Sequence, residues 1–426
     1  MIVYEGLFFT NLTKIRVPNE NEEERTDMKE KNITTKLLHA GENTLAKKIN
    51  TGVSVPKVIP IYMSSVFSFD DVPSLDAVYA GEANGYIYGR NGHPNQEAAA
   101  ECLALAEGTD DALMFGSGMA AITTCFLAQV SQGDHIVSSP VLYGGVYDFM
   151  KNDLRRFGVE VTFVEFDDVE AVEAAIKPNT KLIYTETIVN PTMNIYDLEA
   201  ISKIAHAHGC KLIVDNTFAT PSVCRPMDYG TDIVVYSTTK FLGGHSDIVG
   251  GAIVADQATI NSLRHAHCIY GGQMGPLECW LLCRSLRTLD LRVERHSKNA
   301  QKVAEFLEKH PKIEKVYYPG LQSSKYRKLG ERLFVDNRFG GMLSADIAGG
   351  EEGASKFIAA CETIKFVPSL ASYSTTLSYP AKTSHRAYSA EELVAAGISM
   401  GTIRFSIGME DPDDIIAEFE AALAQV

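Results

Sequence analysis

Short apolar runs alternate with helical patterns through residues 91–290 of this 426-residue chain. Such alternation predicts the α/β class, with a mostly parallel sheet that carries helices on both faces. Helical patterns are clearest over residues 119–132, 168–176 and 198–208. The predicted strands are Ala112–Phe115, His135–Ser139, Val159–Glu165, Lys181–Thr185, Lys211–Asp215, Ile233–Tyr236 and Gly251–Ala255.

The chain changes character on either side of this sheet region. Residues 1–90 carry few regular patterns, and we predict a lead-in and an arm that packs on a neighbouring subunit or runs along its own surface. A long helical pattern opens at Pro276 and continues to Leu307. Strand-like runs and a last helix then predict a smaller C-terminal α+β domain. The predicted domains are residues 1–90, 91–290 and 291–426.

Charge and cysteine content narrow the functional classes. With 39 basic and 54 acidic residues the net charge is −15, which argues against nucleic acid or an anionic membrane as the main partner. The N-terminus lacks the basic start of a signal peptide, and no apolar stretch approaches the ~20 residues of a membrane helix. The eight cysteines are scattered without a C-x-x-C pair, so we predict reduced thiols, a cytoplasmic location and no metal site.

Lys240 ends a hydroxyl-rich turn that follows the predicted strand Ile233–Tyr236. Strand ends are where an α/β sheet presents groups to a ligand. An ammonium beside Phe241 and Leu242 loses hydration, so we expect a lowered pKa and an amine able to form a Schiff base. A surface lysine at the start of a loop is the alternative.

A glycine-rich turn over residues 116–121 follows one strand and opens a helix. Its backbone N–H groups and the helix dipole would hold a phosphate. The spacing also fits the G-x-G-x-x-A fingerprint of a dinucleotide-binding oxidoreductase. That interpretation needs an acidic residue at the end of the next strand, which instead ends Val137-Ser138-Ser139-Pro140. The turn therefore favours a phosphate over a dinucleotide.

Asp215 ends the apolar run Leu212-Ile213-Val214. Its carboxylate could hold a pyridine nitrogen in the protonated form, or it could cap a following helix. Both Asp215 and Lys240 are predicted at the carboxyl ends of strands in one parallel sheet. A phosphate turn, an acid for a ring nitrogen and a lysine for an aldehyde together fit pyridoxal 5'-phosphate.

Four motifs, in order, resemble those of the cystathionine γ-synthase / methionine γ-lyase family of pyridoxal-phosphate enzymes. They are Tyr88-Gly89-Arg90-Asn91-Gly92-His93-Pro94, Ser117-Gly118-Met119-Ala120, Val214-Asp215-Asn216-Thr217 and Ser237-Thr238-Thr239-Lys240. The resemblance covers residues 35–426. It implies the type I fold of aspartate aminotransferase, with residues 91–290 as the domain that binds pyridoxal phosphate.

The resemblance also implies roles for individual residues. Lys240 would form the Schiff base and then carry protons between substrate carbons. Asp215 would face the pyridine nitrogen, and Tyr143 would stack on the cofactor ring near the leaving group. Further cofactor contacts are implied for Ser117, Gly118, Met119, Thr217, Ser237 and Thr239, with Tyr88 and Arg90 reaching the phosphate from the adjacent subunit. A homodimer would then be the minimal active unit, and two dimers would form a homotetramer.

Arg404 resembles the arginine that grips the substrate α-carboxylate in this family, with Ser369 and Asn190 assisting. Glu186 could orient this group, and a structural role at its strand end is equally open. Two positions depart from the family pattern. Gly145 stands where methionine γ-lyases carry Cys, and Ser374 where enzymes of cystathionine often carry Glu.

We therefore predict a carbon–sulfur lyase for sulfur amino acids such as methionine, cystathionine or homocysteine. γ-Elimination would release a thiol, ammonia and a 2-oxo acid. The alternative within the family is γ-replacement, by a cystathionine γ-synthase or an O-acylhomoserine sulfhydrylase. Two hypotheses from other classes are a nucleotide-binding oxidoreductase and a binding or regulatory protein without turnover.

Overall fold

A computed structural model describes residues 31–41, 54–386 and 388–426. The described helices are α1 (Ile33–His39), α2 (Val72–Ala80), α3 (Pro94–Glu107), α4 (Gly118–Gln129), α5 (Gly144–Asp148), α6 (Leu154–Arg156), α7 (Val169–Ala174), α8 (Leu198–Ala207), α9 (Gln257–Tyr270), α10 (Pro276–Leu286), α11 (Leu289–Leu307), α12 (Arg327–Leu333), α13 (Gly350–Ala360), α14 (Ala390–Ala395) and α15 (Pro412–Leu423). A π-helical turn, Phe149–Asp153, joins α5 to α6.

The described strands are β1 (Asp111–Phe115), β2 (His135–Ser138), β3 (Glu160–Phe163), β4 (Thr180–Glu186), β5 (Lys211–Asp215), β6 (Ile233–Ser237), β7 (Gly251–Ala255), β8 (Ile313–Tyr317), β9 (Met342–Ile347), β10 (Lys365–Phe366), β11 (Thr376–Ser378) and β12 (Thr402–Ser406). The chain divides into two compact units. The first unit is Met1–Ala128, Val235–Thr239 and Ile248–Thr288, and the second unit is Gln129–Val234, Lys240–Asp247 and Leu289–Val426.

In the first unit, β1 pairs antiparallel with β7, and Asp111 lies opposite Ala255. Helix α3 begins with Pro94 in its first turn and ends at Glu107, and the Gly108 that follows has a left-handed conformation (φ 78°) that favours glycine. Its alanine- and leucine-rich sequence is buried along most of its length, against β1 and α10. This packing places the turn between β1 and α4 at one end of the strand pair.

In the second unit, β5, β4, β2 and β3 form a parallel sheet in that order. The core residues Ile136, Leu182 and Ile213 are fully or almost fully buried, as expected for parallel strands that are covered on both faces. The carboxyl ends of β4 and β5 meet, and Glu186 lies opposite Asp215. This edge carries the candidate site.

A second sheet follows in the same unit, with strand order β10-β11-β12-β9-β8. Its centre is the antiparallel pair β9 and β12, in which Arg404 lies opposite Ser344. Phe357, Phe405 and Phe419 pack edge to face or tilted against one another between this sheet and helices α13 and α15. The buried aromatic cluster fixes β12, and with it the position of Arg404.

Each of the seven strands predicted for the sheet region is present, and the predicted end of every one lies within two residues of the observed end. The long helix predicted from Pro276 to Leu307 is wrong, since α10 ends at Leu286 and α11 begins at Leu289. At the break, the N–H and the hydroxyl of Thr288 both donate to the carbonyl of Ser285. A short-range bond of this kind tightens the last turn and ends a helix.

Residues 31–41 and 54–90 contain α1 and α2 but little other regular structure. The rest of the predicted lead-in and arm lies outside the described residues, and its packing on a neighbour stays a prediction, as do the three domain boundaries. Among the helices that the structure describes, none combines the length and apolar character needed to cross a membrane.

Candidate active site

Two buried carboxyl groups lie side by side where β4 and β5 end in the second unit. Glu186 is 5% exposed and Asp215 is 9% exposed. Burial raises the pKa of both groups above the ordinary value, and the charge of Asp215 raises the pKa of Glu186 further. A cation placed against Asp215 would oppose this shift and keep the carboxylate ionised.

Asp215 makes a local turn and does not cap a helix. Its Oδ1 accepts from the N–H of Thr217 at 2.9 Å. In the described chain the next helical segment after Asp215 is the short 3₁₀ turn Pro226–Tyr229, so the helix-capping alternative is wrong. The carboxylate therefore remains oriented by its strand and its turn, which suits a group that faces a ligand nitrogen.

Lys240 is half-buried, unlike an ordinary surface lysine. Its Nζ donates to Oγ of Ser369 at 3.1 Å. Burial and the positive charge of Arg404 lower the pKa of the amine from 10.5 to about 8. A substantial fraction of the amine is therefore neutral near pH 8, as the sequence predicted, and a neutral amine is nucleophilic.

Arg404 is 4% exposed and lies in the middle of β12. Its Nη1 donates to Oδ1 of Asn190 at 2.7 Å. Burial lowers the pKa of the guanidinium to about 10, so it remains charged at neutral pH. A buried cation with several N–H donors is suited to a two-pronged bond with a carboxylate.

Tyr143 precedes α5, and the residue is 45% exposed. Its backbone N–H donates to Oε1 of Glu186 at 2.7 Å. The residues on either side are also fixed. Nε2 of His385 bonds the carbonyl of Leu142 at 3.2 Å, and the carbonyl of Ser384 occupies the space that a β-carbon on Gly144 would need. The loop that carries this half-exposed residue is thus held by contacts at three successive residues.

The sequence alone left the role of Glu186 open, and it did not identify His385. Glu186 was left between two roles, and its bond to Tyr143 shows that it contacts the candidate site directly. His385 is completely buried, and it lies 243 residues from the loop it binds. No local pattern around His385 distinguishes it from a surface histidine.

The first unit brings together the predicted phosphate-binding residues. An ideal β-carbon on Gly118 would lie 2.8 Å from Cβ of Ser237, so only glycine fits beside Ser237. Met119 is the second residue of α4, and Oγ of Ser117 accepts from the N–H of Ala120 at 3.1 Å. Thr239 accepts from the N–H of Gly250 at 2.9 Å. A bare turn, hydroxyl groups and a helix N-terminus suit a phosphate.

Tyr88 and Arg90 are exposed residues of the first unit. The Arg90 guanidinium sits 5.1 Å from the centre of the Tyr88 ring. Its Nη1 donates to the carbonyl of Cys268 at 3.1 Å. These contacts hold both side chains near the surface, and their predicted reach into an adjacent subunit stays a prediction.

The chain is similar to known enzymes along almost its whole length. The profile of the family described as Cys/Met metabolism PLP-dependent enzyme matches residues 34–424. The chain is 40% identical over 403 residues to the L-methionine gamma-lyase of Treponema denticola. The aligned residues cover 94% of this chain and 98% of that enzyme. It is 41% identical over 352 residues to the cystathionine beta-lyase MetC of Bacillus subtilis, with coverages of 81% and 88%.

The crystal structure of cystathionine gamma-lyase from Lactobacillus plantarum complexed with L-serine matches with a TM-score of 0.85 at 35% identity, over 93% of this chain and 99% of that chain. The predicted family, type I fold and dependence on pyridoxal phosphate are thereby confirmed. The alternative of a nucleotide-binding oxidoreductase built on the 116–121 turn is wrong. The chain belongs to the pyridoxal-phosphate-dependent enzymes of cysteine and methionine metabolism.

Proposed function

We propose that this enzyme eliminates the γ-substituent of a sulfur amino acid such as methionine, cystathionine or homocysteine, and releases a thiol, ammonia and a 2-oxo acid. The coarser class, a pyridoxal-phosphate-dependent carbon–sulfur lyase, is confirmed by relatives named L-methionine gamma-lyase and cystathionine beta-lyase. The observation that carries the proposal is the half-buried Lys240 amine, which donates to Oγ of Ser369 at 3.1 Å and whose pKa is lowered by burial and by Arg404.

The described residues fit the cofactor chemically. Bound pyridoxal phosphate supplies an aldehyde and an electron-withdrawing ring that makes the substrate Cα–H acidic. Lys240 would bind the aldehyde carbon, and Asp215 would bind the protonated ring nitrogen. Tyr143 would cover the ring face, with Thr217 beside Asp215. The phosphate would be held by Ser117, Gly118, Met119, Ser237 and Thr239, the last of which is joined to Lys240 by a peptide bond.

Arg404 would bind the α-carboxylate, because its guanidinium is buried, charged and held by Asn190. A carboxylate fixed at two oxygens sets which bond of Cα stands perpendicular to the cofactor ring. Ser369, hydrogen-bonded to Lys240, would support the substrate on the same side. With the amine neutral, Lys240 can then accept a proton from Cα, and a second proton must be removed from Cβ before the γ-thiol leaves.

We also infer a homodimer as the minimal active unit and a homotetramer as the full assembly, in the cytoplasm. Tyr88 is 40% exposed in the single chain, and Arg90 is exposed beside it, which supports the proposal that both contact a second copy. The net charge of −15 is unfavourable for a nucleic-acid or anionic-membrane partner. The substrate is then a small amino acid bound through its carboxylate.

A substrate panel tests the proposed reaction. Methionine, cystathionine, homocysteine, cysteine and O-acylhomoserines are each incubated with the holoenzyme, and 2-oxo acid and thiol are measured. We expect 2-oxo acid and thiol in equal amounts from at least one of the γ-thio amino acids. If an O-acylhomoserine with sulfide or cysteine turns over and no 2-oxo acid accumulates, the enzyme catalyses γ-replacement and the lyase proposal is wrong. Absence of any turnover would support the inert binding protein.

A further inference from the structure

Glu186 uses both oxygens of one buried carboxyl group to bind two separate loops. Oε1 accepts from the N–H of Tyr143 at 2.7 Å. Oε2 accepts from the N–H of Asn190 at 2.9 Å. The proposed reaction gives Glu186 no part, since Lys240 carries the proton and Asp215 faces the ring.

The chain of hydrogen bonds continues from Glu186 to the substrate-binding arginine. The Asn190 backbone donates to Glu186, and the Asn190 side chain accepts from Nη1 of Arg404 at 2.7 Å. Three consecutive bonds therefore link the loop that bears the Tyr143 ring to the guanidinium of Arg404. All of these residues belong to the second unit, so the linkage lies within one compact body.

The position of Glu186 is unfavourable for a group that serves only to tie a loop. Glu186 is 5% exposed and lies opposite Asp215, a second buried acid, on the neighbouring strand. Burying two acids together is expensive, because each acid loses hydration and disfavours ionisation of the other. Glu418 shows the ordinary arrangement: on a more exposed face of the same unit it accepts the N–H groups of Glu362, Thr363 and Ile364.

We propose that Glu186 is a positioning residue that fixes the Tyr143 loop relative to Arg404. The cofactor ring and the substrate carboxylate would then be held in a fixed position relative to each other. This inference rests on the proposed function, because it takes Tyr143 and Arg404 as the ring and carboxylate contacts. Loss of one acceptor in Glu186→Gln places an amide N–H₂ against a backbone N–H. The Tyr143 loop or the Asn190–Arg404 pair must then move.

The test compares Glu186→Gln with Glu418→Gln as holoenzymes. Two readouts are independent of turnover: the visible circular dichroism of the bound cofactor, and the dissociation constant of 2-aminoisobutyrate, which lacks a hydrogen on Cα and cannot be deprotonated. For Glu186→Gln we expect an altered dichroism band, because the Tyr143 ring beside the cofactor shifts. We expect the dissociation constant to rise about tenfold, because the Arg404 guanidinium shifts as well. Glu418→Gln should match the wild type in both measurements.

Different outcomes separate the two proposals. If the wild type shows no visible band and does not bind 2-aminoisobutyrate, the proposed function itself fails. If the wild type behaves as expected and Glu186→Gln has wild-type dichroism and affinity with only a lower melting temperature, Glu186 is a loop tie and the inference is wrong. Should Glu186→Gln not fold, Glu186→Asp is measured in the same way. It keeps a carboxyl group and is shorter by one methylene, so the same changes are expected and wild-type values would overturn the inference.

Discussion

A β-carbon on Gly118 would lie 2.8 Å from Cβ of Ser237, closer than two carbon atoms can approach without displacement. Gly118→Ala should therefore push the phosphate turn away from Ser237. We expect the affinity for pyridoxal phosphate to fall about tenfold or more, since misplaced N–H groups bind phosphate poorly. Gly92→Ala is the control, because its β-carbon would meet only an ordinary 3.8 Å contact with Tyr86. Equal affinity of the two variants, measured by cofactor titration, would contradict the proposed phosphate site.

The Lys240 amine should capture pyridoxal phosphate with an unusual pH dependence. Its pKa is about 8 against an ordinary 10.5, so in cofactor-free protein the capture rate should rise through pH 8 and then level off. Borohydride reduction followed by intact-mass analysis measures the trapped product. Lys240→Ala should trap none at this site and lose nearly all turnover, because anchor and proton carrier are the same atom. A capture rate that keeps rising to pH 10 would mean that the amine is exposed.

Arg404→Lys tests how the substrate carboxylate is bound. Lysine keeps the charge but offers a single point of contact, so we expect kcat/KM to fall by about 100-fold with most of the loss in KM. Cofactor binding should be unchanged, since Arg404 is proposed to touch substrate alone. Steady-state kinetics and cofactor titration distinguish the two effects. A variant that loses cofactor while keeping its KM would show that Arg404 contacts the cofactor and not the substrate.

Arg90→Ala tests whether a second subunit completes the cofactor site. If Arg90 reaches the phosphate of a neighbour, its loss should increase the rate of cofactor release, and the change should be visible during dialysis. Within its own chain Arg90 bonds the carbonyl of Cys268, so its removal also needs a stability control by thermal melting. A holoenzyme that retains cofactor as well as the wild type would contradict the shared site.

His385 should make the protein sensitive to acid. Its Nε2–H donates to the Leu142 carbonyl, and the Ser384 hydroxyl donates to Nδ1, so the buried ring is neutral with both nitrogens bonded. Burial and the charge of Arg404 lower its pKa from 6.5 to about 4. The contribution of the neutral ring to the free energy of unfolding is therefore complete above pH 6.5. As the pH falls towards 4, the unfolded chain binds a proton that the folded protein excludes, and the free energy of unfolding decreases by about 3 kcal/mol.

His385→Gln keeps a donor for Leu142 and removes the titrating ring. We expect this variant to be less stable than the wild type at pH 7.5, with a smaller fall in unfolding free energy between pH 6.5 and 4. Denaturant unfolding at both pH values measures the difference. His267 and His296, whose pKa values burial lowers to about 4, remain in both proteins and cancel in the comparison. Parallel curves for the two proteins would show that His385 does not titrate in this range.

Lys240, Asp215 and the 116–121 turn could be predicted from the sequence because strand-end positions follow from local pattern. A β-branched run that stops at a charged residue identifies both the strand and the edge at which that residue emerges. The contacts of His385 and Glu186 could not be predicted in this way, since they join segments that are far apart in sequence. The break between α10 and α11 could not be predicted from the sequence for another reason. The apolar spacing continues through Thr288, and only its bonds to Ser285 end the first helix.

The positive charge of Arg404 has a further effect on Lys240. In the protein without cofactor or substrate, the guanidinium lowers the basicity of the lysine amine. A carboxylate bound to Arg404 would cancel that positive charge, and the pKa of the same amine would then rise towards its ordinary value of 10.5. The proposed contact would thus change the protonation of the lysine as well as the position of the substrate, and small amines that lack an acid group would leave that protonation unchanged.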